Sequence, residues 1–159
     1  FIEPTQSIRS LGVKLKLSST RTIVKNKSII LIDDSLVRGT TCHKIVKMLY
    51  ENGAKEVHVR IACPEIKFPD FYGVDMPTKK ELLANEKTIE EMCLHIRAKT
   101  LKFITLDGLY KALGKGERNN AYPQFSDHYF TGDYPIKPED SLNELKVTQL
   151  PLLNSKSNN

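Results

Sequence analysis

No pair of cysteines stands at a ligand-like spacing in this 159-residue chain. Cys42, Cys63 and Cys93 lie far apart, which excludes a disulfide framework and a local zinc motif and points to a reducing, cytoplasmic setting. Each thiol is expected to pack as a small apolar group. No apolar run approaches the roughly 20 residues that cross a bilayer, so no membrane partner is expected. The opening Phe1-Ile2-Glu3-Pro4 lacks the basic-then-apolar pattern of a secretory leader, and it lacks an initiating methionine. The chain is therefore expected to begin mid-protein. Aromatic residues do not interleave with the basic residues Arg9, Lys14, Lys16, Arg21, Lys25 and Lys27. Without such stacking platforms no nucleic-acid partner is expected. Internal repeats are absent too.

What is present bounds the rest. A hydrophobic content of 40% over this length suits one core, either a single domain or part of a larger one. The net charge of +5 suits an anionic partner. The six cations before the first strand have only Glu3 as acidic company, which suggests a local segment facing phosphate.

Periodicity supplies the elements. Ser28–Ile32 is a short β-branched run, predicted as a strand buried on both faces of a parallel sheet. Cys42, Ile45, Val46, Leu49 and Tyr50 follow the spacing of one helix face, and Asn52-Gly53 supplies a left-handed stop. Glu56–Ala62 alternates and reads as a second strand, which completes a β-α-β unit. Thr78-Lys79-Lys80-Glu81 and Thr88-Ile89-Glu90-Glu91 match capping boxes. The second box opens a helix with Ile89, Met92, Cys93 and Ile96 inward. Leu106, Leu109, Tyr110 and Leu113 mark another helix, ended by Gly114. A short strand is expected near Val13–Leu17, and Asn154–Asn159 is expected to be disordered.

Chemistry concentrates where the first strand meets the first long helix. Ligands of open parallel sheets bind outside the carboxyl ends of strands. Here the strand ends in Asp33-Asp34, and Ser35, Gly39, Thr40 and Thr41 follow. Backbone amides of such a loop, and of the helix start behind it, make an electropositive cup for a phosphate. Carboxylates have no part in holding a phosphate; they suit sugar hydroxyls and a hydrated Mg²⁺. The pattern describes a grip on a ribose 5-phosphate. Local physics alone leaves a plainer alternative open, in which the acids cap the strand and the loop caps the helix. The loop lacks the lysine and glycine spacing of a Walker sequence, and Gly39 alone does not make a dinucleotide fingerprint.

The stretch Ile29-Ile30-Leu31-Ile32-Asp33-Asp34-Ser35-Leu36-Val37-Arg38-Gly39-Thr40-Thr41 resembles the phosphoribosyl pyrophosphate (PRPP) motif of type I phosphoribosyltransferases. More narrowly, Asp-Asp-Ser-x-Val-Arg-Gly-Thr-Thr resembles the amidophosphoribosyltransferases. Phe1-Ile2-x-Pro4-x-Gln6, Val13–Leu17, Gly53–Arg60, Phe71–Asp75 and Phe130–Pro135 agree with that family in register. The resemblance implies an α/β fold: part of a Rossmann-like parallel sheet with flanking helices and a helical C-terminal region. Residues 1–115 would be the C-terminal portion of the transferase domain, with a flexible loop at 1–16 and the PRPP motif at 29–41. Residues 116–159 would be a C-terminal extension, partly disordered. The implied reaction is formation of 5-phosphoribosylamine from PRPP and glutamine-derived ammonia, the first committed step of purine synthesis. By that likeness Asp33 and Asp34 contact the ribose and hold Mg²⁺. Ser35, Arg38, Gly39, Thr40 and Thr41 hold the 5-phosphate. Arg9, Lys14 and Lys16 are catalytic candidates for offsetting pyrophosphate charge.

The chain also departs from the family. Nothing in it resembles the glutaminase domain that would supply ammonia, and the loop that grips pyrophosphate is missing. Some members carry an iron–sulfur cluster, but the corresponding positions here are Asp70, Pro123, Ser126 and Tyr129, so no cluster is expected. His128 is expected at the surface as a lone imidazole, and His43, His58 and His95 are not taken as metal ligands. Purine nucleotides are possible inhibitors by the resemblance. The missing half would leave a sheet edge and apolar surface uncovered, so the chain is expected to be a homo-oligomer or the complement of an N-terminal segment. A non-catalytic PRPP-binding regulator and an inactive remnant of a split gene are the alternatives.

Overall fold

The structure, a computed structural model, describes residues 21–73 and 78–136. The expectations for Val13–Leu17 and for Asn154–Asn159 lie outside those residues. A short helix, α1 (Arg21–Val24), leads into β1 (Ser28–Asp33), and α2 (Thr40–Glu51) follows. After β2 (Glu56–Ile61) come a 3-10 turn at Lys79–Glu81, α3 (Leu83–Glu86) and α4 (Ile89–His95). Then follow β3 (Thr100–Phe103), α5 (Leu106–Ala112) and α6 (His128–Thr131).

The three strands form a parallel sheet in the order β1-β2-β3. Its register pairs Ile29 with Val57, Leu31 with Val59 and Asp33 with Ile61. Because a strand alternates its side chains, these residues share one face. Helices α2 and α4 close that face: Val57, Val59, Ile61 and Leu101 pack with Cys42, Val46, Leu49, Met92 and Ile96 in one buried cluster. Full burial of each such side chain contributes roughly 1.5–3 kcal/mol.

Helix α2 ends as its Asn52-Gly53 pair dictates. Gly53 adopts φ +91°, and the Ala54 amide reaches the Leu49 carbonyl at 3.0 Å. Such a left-handed residue satisfies carbonyls that the last helical turn would otherwise leave bare. Both capping signals also hold. The Thr88 amide donates to Glu91 Oε2 at 2.8 Å while the Glu91 amide returns a bond to Thr88 Oγ1. The Thr78 amide donates to Glu81 Oε2 at 3.2 Å, opening a 3-10 turn.

One expectation is corrected. Among the described residues strand β1 is covered on one face only: Ile30 and Ile32 are 65% and 72% exposed. They sit at the edge of the sheet formed by the described strands, beside the half-buried His58 and Arg60 on β2. No described helix covers that side, so a run apolar enough for two buried faces has found cover for one. Strand β3 escaped the sequence pattern because only four residues pair and lysine occupies its outward position. Leu113 also falls outside the packed stripe of its helix; it is 53% exposed.

Candidate functional site

The strand–helix junction forms an open depression of about 320 Å³ lined by Asp33 through Cys42. The structure thus gathers Asp33, Asp34, Ser35, Arg38, Gly39, Thr40 and Thr41 around one space. Arg9, Lys14 and Lys16 lie outside the described residues. Gly39 occupies the N-cap of α2 with φ 75° and ψ −11°, a left-handed conformation that costs other residues roughly 1–2 kcal/mol. A β-carbon there would stand 2.9 Å from Leu83 Cδ2 and 3.3 Å from His95 Cδ2. Helix α2 has no side-chain cap and no acidic residue in its first turn. Among the described residues nothing caps its leading amides, which suit an anion in the direction its dipole favours.

The acids at the strand end have no counter-cation: among the described residues no Lys, Arg or His side chain pairs with Asp33 or Asp34. Burial pushes the Asp33 carboxyl above its ordinary value; the Asp34 amide at 3.1 Å pulls it back, and the Asp34 charge adds to the rise. Ser35 Oγ donates to Asp34 Oδ1 at 3.0 Å. Two adjoining carboxylates without a cation suit a hard ion that takes few protein ligands and completes its shell with phosphate and water. Asp33 and Asp34 would hold such an ion. Arg38 reaches out of the loop to Glu81, with Nη2 3.5 Å from Oε2. The hydroxyls of Thr40 and Thr41 make no hydrogen bond among the described residues, and both residues are exposed.

The cysteines near this site are packing groups. Burial pushes the Cys42 thiol up to about 12, with the Asp33 charge adding. Cys63 is raised to about 11, again by burial first. Neither is a thiolate at neutral pH.

A second polar constellation was not legible in the sequence, and it corrects one reading. His128 is 1% exposed, not a surface imidazole. Its Nε2 lies 2.9 Å from Asp70 Oδ1 and its Nδ1 lies 3.1 Å from Ser126 Oγ. The Asp70 charge also helps raise the Tyr129 phenol, an effect led by burial. Asp70, Ser126 and Tyr129 thus meet around one histidine; Pro123 instead lines a neighbouring depression that Ser126 also borders. Beside them, Arg118 grips Asp127 through Nε at 2.6 Å and Nη2 at 3.2 Å, and Asp133 through Nη2 at 2.7 Å. Tyr110 Oη donates to Asp127 at 2.7 Å, which ties the segment to α5. Burial works to raise the Asp127 carboxyl, but the hydrogen bonds from Arg118 and Tyr110 outweigh it and hold it below the usual range.

No family model matches the chain. Individual proteins do. An amidophosphoribosyltransferase of Rhizobium etli is 53% identical over 98% of this chain and 32% of its own length. Amidophosphoribosyltransferase 1, chloroplastic, of Arabidopsis thaliana is 49% identical over 88% of this chain and 24% of its own. Among solved structures, the glutamine PRPP amidotransferase of B. subtilis complexed with ADP and GMP aligns with a TM-score of 0.67 at 41% identity. That alignment covers 85% of this chain and 30% of that one. The chain therefore spans about a quarter to a third of the length of the curated relatives it matches. By sequence and by fold it is a homologue of the C-terminal part of the amidophosphoribosyltransferases.

Proposed function

We propose that the chain binds PRPP at the Asp33–Thr41 junction and serves as the sugar-phosphate grip of an amidophosphoribosyltransferase. One observation carries this reading: a carboxylate pair that meets no counter-cation among the described residues adjoins a helix start whose N-cap is a left-handed glycine with no side-chain cap. A carboxylate pair accepts hydrogen bonds from ribose hydroxyls, while amides at the head of α2 donate to a 5-phosphate. The half-buried Asp33 would contact the ribose from the strand end, and the hydroxyls of Thr40 and Thr41 are free to donate to phosphate oxygens.

Mg²⁺ held by Asp33 and Asp34 would neutralise pyrophosphate charge. In the reaction the anomeric C–O bond breaks as ammonia forms the new C–N bond; pyrophosphate leaves with the bonding pair, and the surplus proton passes to solvent. Positive charge develops on the ribose, where the two carboxylates would stabilise the transition state. Arg9, Lys14 and Lys16 would offset the departing charge. PRPP binding belongs to this chain in the proposal. Formation of 5-phosphoribosylamine belongs to the chain joined with the remaining two-thirds or more of such an enzyme, including the part that releases ammonia from glutamine. Purine nucleotides as regulators are part of the same reading, supported by the ADP and GMP in the B. subtilis structure. The cytoplasmic setting is part of it as well.

Calorimetric titration with PRPP and Mg²⁺ tests the site. Heat should be released by the native chain and lost in the Asp33→Ala/Asp34→Ala double variant. Equal heats from both would remove the assignment.

A further inference from the structure

Among the described side chains lining the junction, only Arg38 is cationic, and in this structure it is already engaged. Its guanidinium sits 3.5 Å from Glu81, although two carboxylates stand within its own loop. Glu81 does not depend on Arg38 for its place. The same Oε2 accepts the Thr78 amide at 3.2 Å, fixing the carboxylate to its own turn. That turn is in turn bolted to the loop. The Leu83 amide donates to the Val37 carbonyl at 2.9 Å, and the buried Leu83 side chain lies against Gly39. Asn85 Nδ2 anchors the segment's other side to the carbonyls of Lys67 and Lys79.

We propose that Glu81 is a built-in counter-charge that holds Arg38 in the ligand-free site and yields it to an incoming phosphate ester. Glu81 is thus a positioning residue that sets the affinity of the loop for phosphate. The inference rests on the reading of Asp33–Thr41 as a phosphate-binding junction. The loop carries two carboxylates and one guanidinium, and Glu81 cancels that one cation. An anionic ligand must displace it to gain Arg38. The exchange is feasible because both partners are about half exposed, at 54% and 51%, where an ion pair is weak. A phosphate held by a guanidinium as well as by backbone amides makes stronger, charge-assisted bonds. Binding therefore occurs, at an affinity below what an unopposed Arg38 would give. The gate acts on the 5-phosphate and not on pyrophosphate, because Arg38 stands in the loop before α2.

The test titrates the full chain with two probes, ribose 5-phosphate alone and PRPP with Mg²⁺. Glu81→Gln keeps an oxygen for the Thr78 amide and removes only the charge, so melting should match the native chain. It should tighten both probes by a similar factor, about 3- to 10-fold. A residue that merely braced the loop would weaken binding when changed, not strengthen it. In an Arg38→Gln background the same Glu81→Gln change should alter affinity less than about twofold. Unchanged or weaker binding by Glu81→Gln overturns the proposal. So does equal tightening in both backgrounds, which would mean simple repulsion by Glu81. Heat that survives Asp33→Ala/Asp34→Ala, or no heat from the native chain, removes the site reading itself and this inference with it.

Discussion

Aspartates do opposite work at the two ends of this molecule. At the strand–helix junction Asp33 and Asp34 stand side by side, meet no cation among the described residues, and Asp33 is pushed upward by its burial. In the C-terminal segment Asp127 is held by Arg118, Tyr110 and Thr131, Asp133 by Arg118 and Asp70 by His128. The second set is satisfied inside the chain and ties three stretches of backbone together. The first set retains an electrostatic cost that a ligand bearing a cation and hydroxyls can relieve. Residue type does not distinguish them; the company each keeps does.

Removing a satisfied acid should cost most. Asp127→Ala takes the bidentate partner from the nearly buried Arg118, which keeps only Asp133, and the acceptor from the buried Tyr110 hydroxyl; breaking such a buried network costs up to about 3–5 kcal/mol. Urea unfolding should show the loss, while PRPP heat per folded molecule stays unchanged below the transition. Gly39→Ala comes next. It forces a side chain into the left-handed region and against Leu83, costing about 1–3 kcal/mol and weakening PRPP binding by at least about tenfold. A variant that binds normally would show that the close approach of the loop is not needed.

The smallest effect has the opposite sign. Asp33→Asn should leave stability unchanged or raise it by up to about 1 kcal/mol while abolishing Mg²⁺-dependent PRPP heat. The pH dependence sharpens the contrast. Asp127 is depressed in the folded state, so its contribution is present above the ordinary value of 3.8 and is lost as pH falls through the folded value. Asp33 is raised, so the folded state takes its proton more readily than the unfolded chain, and its cost at neutral pH is relieved as pH falls. Between pH 7 and pH 3, Asp127→Asn should remove part of the acid destabilisation, and Asp33→Asn should remove part of the opposing gain. Parallel unfolding curves for the two variants would break the comparison.

Much of the junction was legible because it is local. The β-branched run, the acids at its end, the single glycine and the helical spacing after it all lie between Ser28 and Glu51, where chain neighbours are neighbours in space. The C-terminal lock was not legible. Asp70 and His128 are 58 residues apart and Tyr110 and Asp127 are 17 apart, in stretches whose proline and charge suggest an exposed tail. Nor could the open face of β1 be seen in advance. Ile30 and Ile32 have the composition of a buried strand, and whether anything covers them depends on segments remote in sequence.

The sequence by itself determined the strand–loop–helix, its glycine hinge, its capping boxes and its kinship, because these follow from short-range backbone preference and periodicity. Only the tertiary structure decided which carboxylates are paired, where Arg38 points and which face of the sheet is closed. Those outcomes depend on distances between residues far apart along the chain, and folding alone sets them.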